Sequence, residues 1–303
     1  MIEPVLAIVG PTASGKTQLA VELACQLAGE IVGTDSMQAY QGMVIGTAAP
    51  TPQELRGVAH HMLQVWPVDR TVTVLEFQQQ ARLAIAEVQQ RHHSVIVVGG
   101  SGLYVSAVLD DLRFPPTDPR VRADFERQLS DFGPSVMHAR LQAIDPEAAA
   151  AIDPGNGRRI VRALEVNALT RAPFRARLPE PTAVVPAVRV GLRIDRPTLD
   201  ARISARVEAM WAAGFVSEVE QLAKIGLADG VTASRALGYQ QILRALAGEC
   251  SFDEAREATI EATKRFARRQ QRWFARDQRI TWIDYDDADL VEFVLRLVAG
   301  TST

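Results

Sequence analysis

The alternation of apolar and polar positions divides the chain into short strands and longer helices. Val5–Val9 is a compact apolar run ending at Gly10, and Thr17 to Leu27 then repeats Leu19, Ala20, Leu23, Ala24 and Leu27 at helical spacing before Gly29 stops it. Residues 30–34 form a second strand pattern. Leu75 to Gln90 is amphipathic, with Phe77, Ala81, Ile85 and Val88 set among polar positions, and residues 94–98 return to a buried strand. Strands separated by helices predict an α/β fold, a parallel sheet flanked by helices. The character changes after Phe114: Pro115, Pro116 and Pro119 break the pattern, and residues 120–132, 134–144, 146–152 and 157–170 carry only helical periodicity. Strand pattern resumes at 188–195. Helices follow over 200–213 and 218–225, the capping box Ser251–Glu254 opens a long helix to about Ala275, and 280–283 and 286–298 close the chain as strand and helix. The expected organisation is a P-loop-type core of residues 1–115 and 187–303, with an all-helical insertion over 116–186.

The turn between the first strand and helix carries the chemistry. Gly10-Pro11-Thr12-Ala13-Ser14-Gly15-Lys16-Thr17 fits G-x-x-x-x-G-K-[ST], flanked by the strand and helix that this pattern requires. Glycine there lets consecutive backbone N–H groups face phosphate oxygens at the positive end of a helix. Lys16 supplies a point charge, and the Thr17 hydroxyl is a ligand for Mg²⁺. Asp35 follows the second strand at the carboxyl edge, where ligands of such sheets bind, so it is expected beside the phosphate loop as a proton acceptor. The third strand runs into Gly99-Gly100-Ser101, not into the acidic residue that P-loop hydrolases place there to hold Mg²⁺. That omission weakens a nucleotide-hydrolysing reading and points to a site of backbone amides and the Ser101 hydroxyl. Adjacent His60 and His61 invite a metal reading, but no ligand partner follows at suitable spacing, and a structural or substrate-facing pair is expected.

Composition narrows the partners. The net charge is −3, so any nucleic-acid contact must come from local clusters. One lies on the long helix. At ~100° per residue, Lys264, Arg265, Arg268, Arg269, Arg272 and Arg276 fall within an arc of roughly 140°, beside Phe266 and Trp273, with Glu257, Glu261 and Asp277 near enough to offset part of it. Arg158 and Arg162 share a helical face in the insertion, next to Glu165. Cys25 and Cys250 make neither a disulfide framework nor a metal motif, no apolar run approaches the ~20 residues of a membrane span, and nothing near Met1 resembles a signal peptide. A reducing cytoplasm and a monomer are the expectation.

The blocks GPTASGKT at Gly10–Thr17, DSMQAYQG at Asp35–Gly42, IGTA at Ile45–Ala48, Gly99–Tyr104, RRIVRALE at Arg158–Glu165, Arg202–Gly214 and ALGY at Ala236–Tyr239 together resemble the bacterial tRNA dimethylallyltransferases. The resemblance implies transfer of a dimethylallyl group from dimethylallyl diphosphate to N6 of the adenosine 3′ of the anticodon. By the same resemblance the loop 10–17 holds the diphosphate with Mg²⁺ near Thr17, Asp35 receives the adenine amino group, and Arg206 grips the diphosphate. Ser101 stands where the family most often has threonine, with its hydroxyl kept. Contact with the tRNA anticodon stem-loop is implied for Asp35, Ser36, Met37, Gln38, Ser101, Arg122, Arg158, Arg159, Ile160, Val161, Arg162, Arg235, Ala236, Leu237, Gly238 and Tyr239, and is expected of Lys264, Arg268 and Arg272. Gln64 departs from the family pattern, which has aspartate there. A P-loop small-molecule kinase is the competing expectation from the residues alone.

Overall fold

The computed structural model describes residues 4–175 and 182–300. The chain divides into one unit of residues 1–110 and 183–303 and a second of residues 111–182. Both boundaries fall a few residues before the expected 115 and 187; the Val184 and Val185 N–H groups donate to the Leu109 carbonyl and Ala183 bridges Asp110, all within the first unit.

The first unit is built on six strands: β1 (Val5–Val9), β2 (Gly29–Gly33), β3 (His60–His61), β4 (Ser94–Gly99), β5 (Ala187–Arg193) and β6 (Ile280–Asp284). They lie in the order β3-β2-β4-β1-β5-β6, and every pairing is parallel. Period-2 alternation sends successive side chains to opposite faces. Leu6 and Ile8 join Ile31, Ile96, Val98, Val190 and Leu192 under α1 (Lys16–Leu27) and α12 (Leu290–Ala299). Val5, Ala7 and Val9 join Val32, Val95 and Val97 under α3 (Val74–Gln90), α4 (Gly102–Leu109), α9 (Phe215–Lys224) and α10 (Tyr239–Leu246). Both faces are therefore covered, which is why β1 is apolar at every position.

Three elements escape the sequence pattern. His60–His61 is a two-residue edge strand against Ile31 and Val32. A single helical turn, α2 (Pro52–Leu55), carries its own capping box from Thr51. Residues 102–109, a nearly continuous apolar run, form a helix. The remaining helices, α8 (Arg196–Ala212) and α11 (Phe252–Phe274), start at the side-chain caps Asp195 and Ser251.

The second unit holds α5 (Pro119–Ile144), α6 (Pro146–Ala151) and α7 (Gly157–Thr170), each opened by a capping side chain: Asp118, Asp145 and Asn156. α5 is two helices joined at Gly133, whose φ of 77° only glycine adopts without strain, followed by Pro134. Phe125, Met137, Leu141, Ile160, Val161 and Leu164 make its core. Beside them Glu165 is fully buried and accepts from Arg122 (2.6 Å), Arg162 (2.8 Å), the Thr117 hydroxyl (2.6 Å) and the Asp118 N–H (3.1 Å). Burial alone would raise its pKa, but hydrogen bonds led by Arg122 outweigh that and hold the carboxyl below its usual range.

Candidate active site

Parallel strands open all their carboxyl ends along one edge, and the turns after β1, β2 and β4 meet there. The β1 turn is the glycine loop. Gly10 and Gly15 have φ of 147° and 93°, and Ala13 has 64°. Pro11 brings no N–H; its carbonyl instead accepts from the Ser14 hydroxyl at 2.9 Å and the Lys16 ammonium at 2.5 Å. Ala13 packs with Ile194, Leu199, Ile203 and Ala267, and Ser14 is buried. The Pro11 carbonyl and the side chains of Ala13 and Ser14 thus shape the loop from inside.

Asp35 stands in the turn after β2, close enough to Lys16 for each charge to act on the other. Its Oδ1 accepts the Met37 N–H at 2.9 Å. Burial raises its pKa, against hydrogen bonds from the Met37 and Gln38 amides and the charge of Lys16. Lys16 is lowered to about 7, by burial first and then by the Arg206 guanidinium, with Asp35 pulling the other way. Part of each side chain still meets solvent, yet both lie deep enough for desolvation to dominate. Arg206, on α8, reaches Thr12 Oγ1 at 3.5 Å, and burial lowers its pKa too. This is a perturbed acid–base pair with a second cation, gathered at the glycine turn after β1.

β4 lies between β1 and β2, so its turn is squeezed between the loop and Asp35. A Cβ on Gly99 would fall 1.9 Å from Thr34 Oγ1, and one on Gly100 would fall 2.5 Å from Gln270 Nε2. No carboxylate side chain fits there, which explains the missing acid. Ser101 follows at the N-cap of α4 without spending its hydroxyl on the helix.

Ser36, Met37 and Gln38 continue the Asp35 turn, with Ser36 hydrogen-bonded to the Tyr104 hydroxyl. The Gln38 amide nitrogen donates to the Thr47 and Ala48 carbonyls, at 3.1 and 3.2 Å. That loop is pinned twice. The Glu218 carboxylate accepts the N–H groups of Val44, Ile45 and Gly46, at 3.1, 2.6 and 3.2 Å, and the Tyr239 hydroxyl at 2.6 Å. Gln64 accepts the Gly42 N–H at 2.6 Å and donates to the Met43 carbonyl, which gives this residue a structural role.

Several expected tRNA contacts turn inward. Ile160 and Val161 are core side chains of the helical unit, and Arg122 and Arg162 converge on Glu165, leaving Arg158 and Arg159 as the exposed cations of α7. Ala236, Gly238 and Tyr239 are buried, the Tyr239 ring against Gly46, while Arg235 and part of Leu237 are exposed. On α11, Lys264 pairs with Glu261 at 3.2 Å, and Arg269 stacks over Phe266 at 5.6 Å. Among the described residues Arg265, Arg268, Arg272 and Arg276 have no carboxylate partner. Asp277, expected to offset them, instead bonds Arg189 (2.9 Å) and Arg279 (2.7 Å). His61 bonds Glu30 at 2.6 Å, together with Arg91 and His93, while His60 is partly buried. No group of three His, Cys, Asp or Glu suited to a metal occurs among the described residues.

Two residues at the site were not singled out from the sequence. Glu218 reads there as an ordinary acidic residue in a helix's first turn. Gln270 leaves a fainter signal: it is a polar residue on the apolar stripe of α11, in line with Ala267 and Phe274.

The family model described as IPP transferase matches residues 38–277. A protein of Thermobifida fusca named tRNA dimethylallyltransferase is 56% identical over 303 residues, covering 98% of this chain and 95% of its own. The crystal structure of a full-length tRNA isopentenylpyrophosphate transferase from Bacillus halodurans superposes with a TM-score of 0.72 at 36% identity, covering 99% of this chain and 98% of that one. A eukaryotic dimethylallyltransferase, solved acting on tRNA, shares the fold with a TM-score of 0.77 at 23% identity, over 98% of this chain and 77% of that one. With a matched model spanning most of the sequence and a relative identical at more than half its positions, the chain belongs to the IPP transferase family.

Proposed function

We propose that this protein transfers the dimethylallyl group of dimethylallyl diphosphate to N6 of the adenosine 3′ of the anticodon in tRNA, releasing diphosphate. The observation that carries the reading is the placement of Lys16 and Asp35 within electrostatic reach of each other, one on a phosphate-cradling turn and the other at the end of the neighbouring β2 turn. The allylic C–O bond breaks, a C–N bond forms to N6, and one N6 proton passes to the Asp35 carboxylate. Charge grows on the departing diphosphate, where the loop amides, Lys16 and Arg206 are preorganised to meet it. Asp35, raised by burial, is a stronger base than a solvated aspartate and orients the amine as well.

The Thr17 hydroxyl, at the second position of α1, is a hard oxygen donor that fits Mg²⁺, an ion that takes its other ligands from phosphate and water. When bound, Mg²⁺ would neutralise charge on the leaving diphosphate. A base in a folded anticodon loop must be turned out to reach the crevice, which requires a grip on the RNA backbone. The unpaired arginines of α11 and the exposed Arg158 and Arg159 suit that task. The reading includes action in the cytoplasm as a monomer; Cys25 and Cys250 are free, and no helix among the described residues is long and apolar enough to cross a membrane.

A P-loop kinase would use the same loop, but the glycine turn after β4 leaves no room for the usual metal-holding acid. Labelled dimethylallyl diphosphate incubated with unmodified tRNA, in parallel with ATP with and without RNA, separates the two readings. Label is expected on the RNA, and ATP turnover without RNA would favour the kinase. Asp35→Ala is expected to lose at least about 100-fold in transfer while still binding tRNA. Full activity in that variant would remove Asp35 as the base.

A further inference from the structure

We propose that Gln270 is a positioning residue for the diphosphate loop, a strut from α11 that fixes the loop's backbone from outside. The proposal rests on the reading of residues 10–17 as the seat of the diphosphate. The Gln270 Oε1 accepts the Thr12 N–H at 2.9 Å, across 258 positions of sequence. The side chain is 6% exposed. The orientation of its amide is forced. An N–H donor at Thr12 requires the carbonyl oxygen, so the NH₂ lies along Gly100, where an added Cβ would come within 2.5 Å of it and 3.1 Å of the Gly10 carbonyl oxygen. The amide is therefore slotted between the β1 turn and the β4 turn, and glycine at position 100 makes the slot.

Contacts on either side share the arrangement. Ala267, one turn earlier on α11, packs with Ala13 in one cluster, and Trp273, one turn later, lies against Gly102. Thr12 is thus held by its backbone from α11 and approached at its hydroxyl by Arg206 of α8. A nest of amides binds an anion well only when its N–H vectors are already set, because ordering them at the moment of binding subtracts from affinity. Gln270 supplies that order at Thr12, through a hydrogen bond between a side chain of a distant element and the loop's backbone. It lies on the buried side of α11, away from the exposed arginines, so its loss should weaken diphosphate binding and leave RNA binding alone.

Gln270→Met keeps length and bulk but removes the acceptor. With one hydrogen bond to a binding loop lost, the Ki of inorganic diphosphate and the KM of dimethylallyl diphosphate are expected to rise about tenfold, while tRNA affinity and the melting temperature stay near the wild-type values. Gly100→Ala attacks the same contact from the other side and should reproduce the shift. The double variant should be no worse than the worse single one. An unchanged Ki in Gln270→Met, or an equal loss of tRNA and diphosphate affinity in both variants, overturns the proposal. Wild-type enzyme indifferent to inorganic diphosphate would instead remove the diphosphate reading of the loop, and the strut with it.

Discussion

At Lys16 burial and the Arg206 guanidinium oppose the ammonium charge, Asp35 favours it, and the balance settles at about pH 7. A bound diphosphate would restore the charge, so between pH 7 and the ordinary lysine value of 10.5 binding must take up a proton. Diphosphate affinity should therefore fall by up to about tenfold per pH unit above 7. Titration calorimetry in buffers of different ionisation enthalpy should find proton uptake near pH 8.5 that Lys16→Met lacks; equal uptake in both proteins would refute it. The sign for folding is opposite to that of a lysine gaining a partner. The unfolded chain holds this proton up to 10.5 and the folded one only to about 7, so this group's contribution to stability is full above 10.5 and lost as pH falls to 7. Lys16 and Asp35 were legible in the sequence because local rules place them: a glycine turn between strand and helix, and an acid where a parallel strand ends. Gln270 was not, since its partner lies 258 positions away and only the tertiary fold joins them.

The loop of residues 42–48 is ordered by groups from elsewhere in the core unit. Glu218 holds three of its N–H groups, and Gly46 rests on the Phe215 and Tyr239 rings, which meet edge-on at 4.9 Å. Burial, and then the charge of Glu218, hold the Tyr239 hydroxyl far above its ordinary pKa, so it remains a donor. A Cβ at Gly46 would fall 2.1 Å from the Phe215 ring and 2.5 Å from that of Tyr239. Gly46→Ala should thus destabilise the protein by about 1–3 kcal/mol through overpacking. Because Thr47 and Ala48 hold the Gln38 side chain beside Asp35, the variant should also raise the KM for tRNA more than that for dimethylallyl diphosphate. Denaturant unfolding and substrate titration together check this; an unchanged midpoint, or equal shifts in both KM values, would count against it. The long elements were readable because an apolar stripe repeats over several turns, as in α3. Two-residue β3 offers no period, and the nearly all-apolar 102–109 could have been strand or helix.

Over the whole molecule, two groups of arginines stand out that a net charge of −3 conceals. One is consumed internally. Arg189 and Arg279 share Asp110 and Asp277 at 2.7–2.9 Å in the first unit, and Arg122 and Arg162 share Glu165 in the second. Composition could not separate these from free cations, because pairing depends on which side chains the fold buries together. The second group lies on α11, where Arg268 and Arg272 have no carboxylate partner among the described residues and Arg272 is exposed. A protein acidic overall gains nothing from its mean field toward RNA, so any electrostatic affinity must come from such a local array, through counterions released from the phosphates it meets. Each phosphate contact on single-stranded RNA contributes a slope of about −0.7 in log affinity against log salt. Binding of unmodified tRNA, measured from low to physiological salt, should therefore weaken steeply. Arg268→Ala combined with Arg272→Ala should flatten that slope by about 1–1.5, with the KM for dimethylallyl diphosphate unchanged, since neither side chain bonds the diphosphate loop. A slope that stays the same when both arginines are gone would place the RNA surface elsewhere, and the exposed Arg158 and Arg159 of α7 would be the next pair to remove.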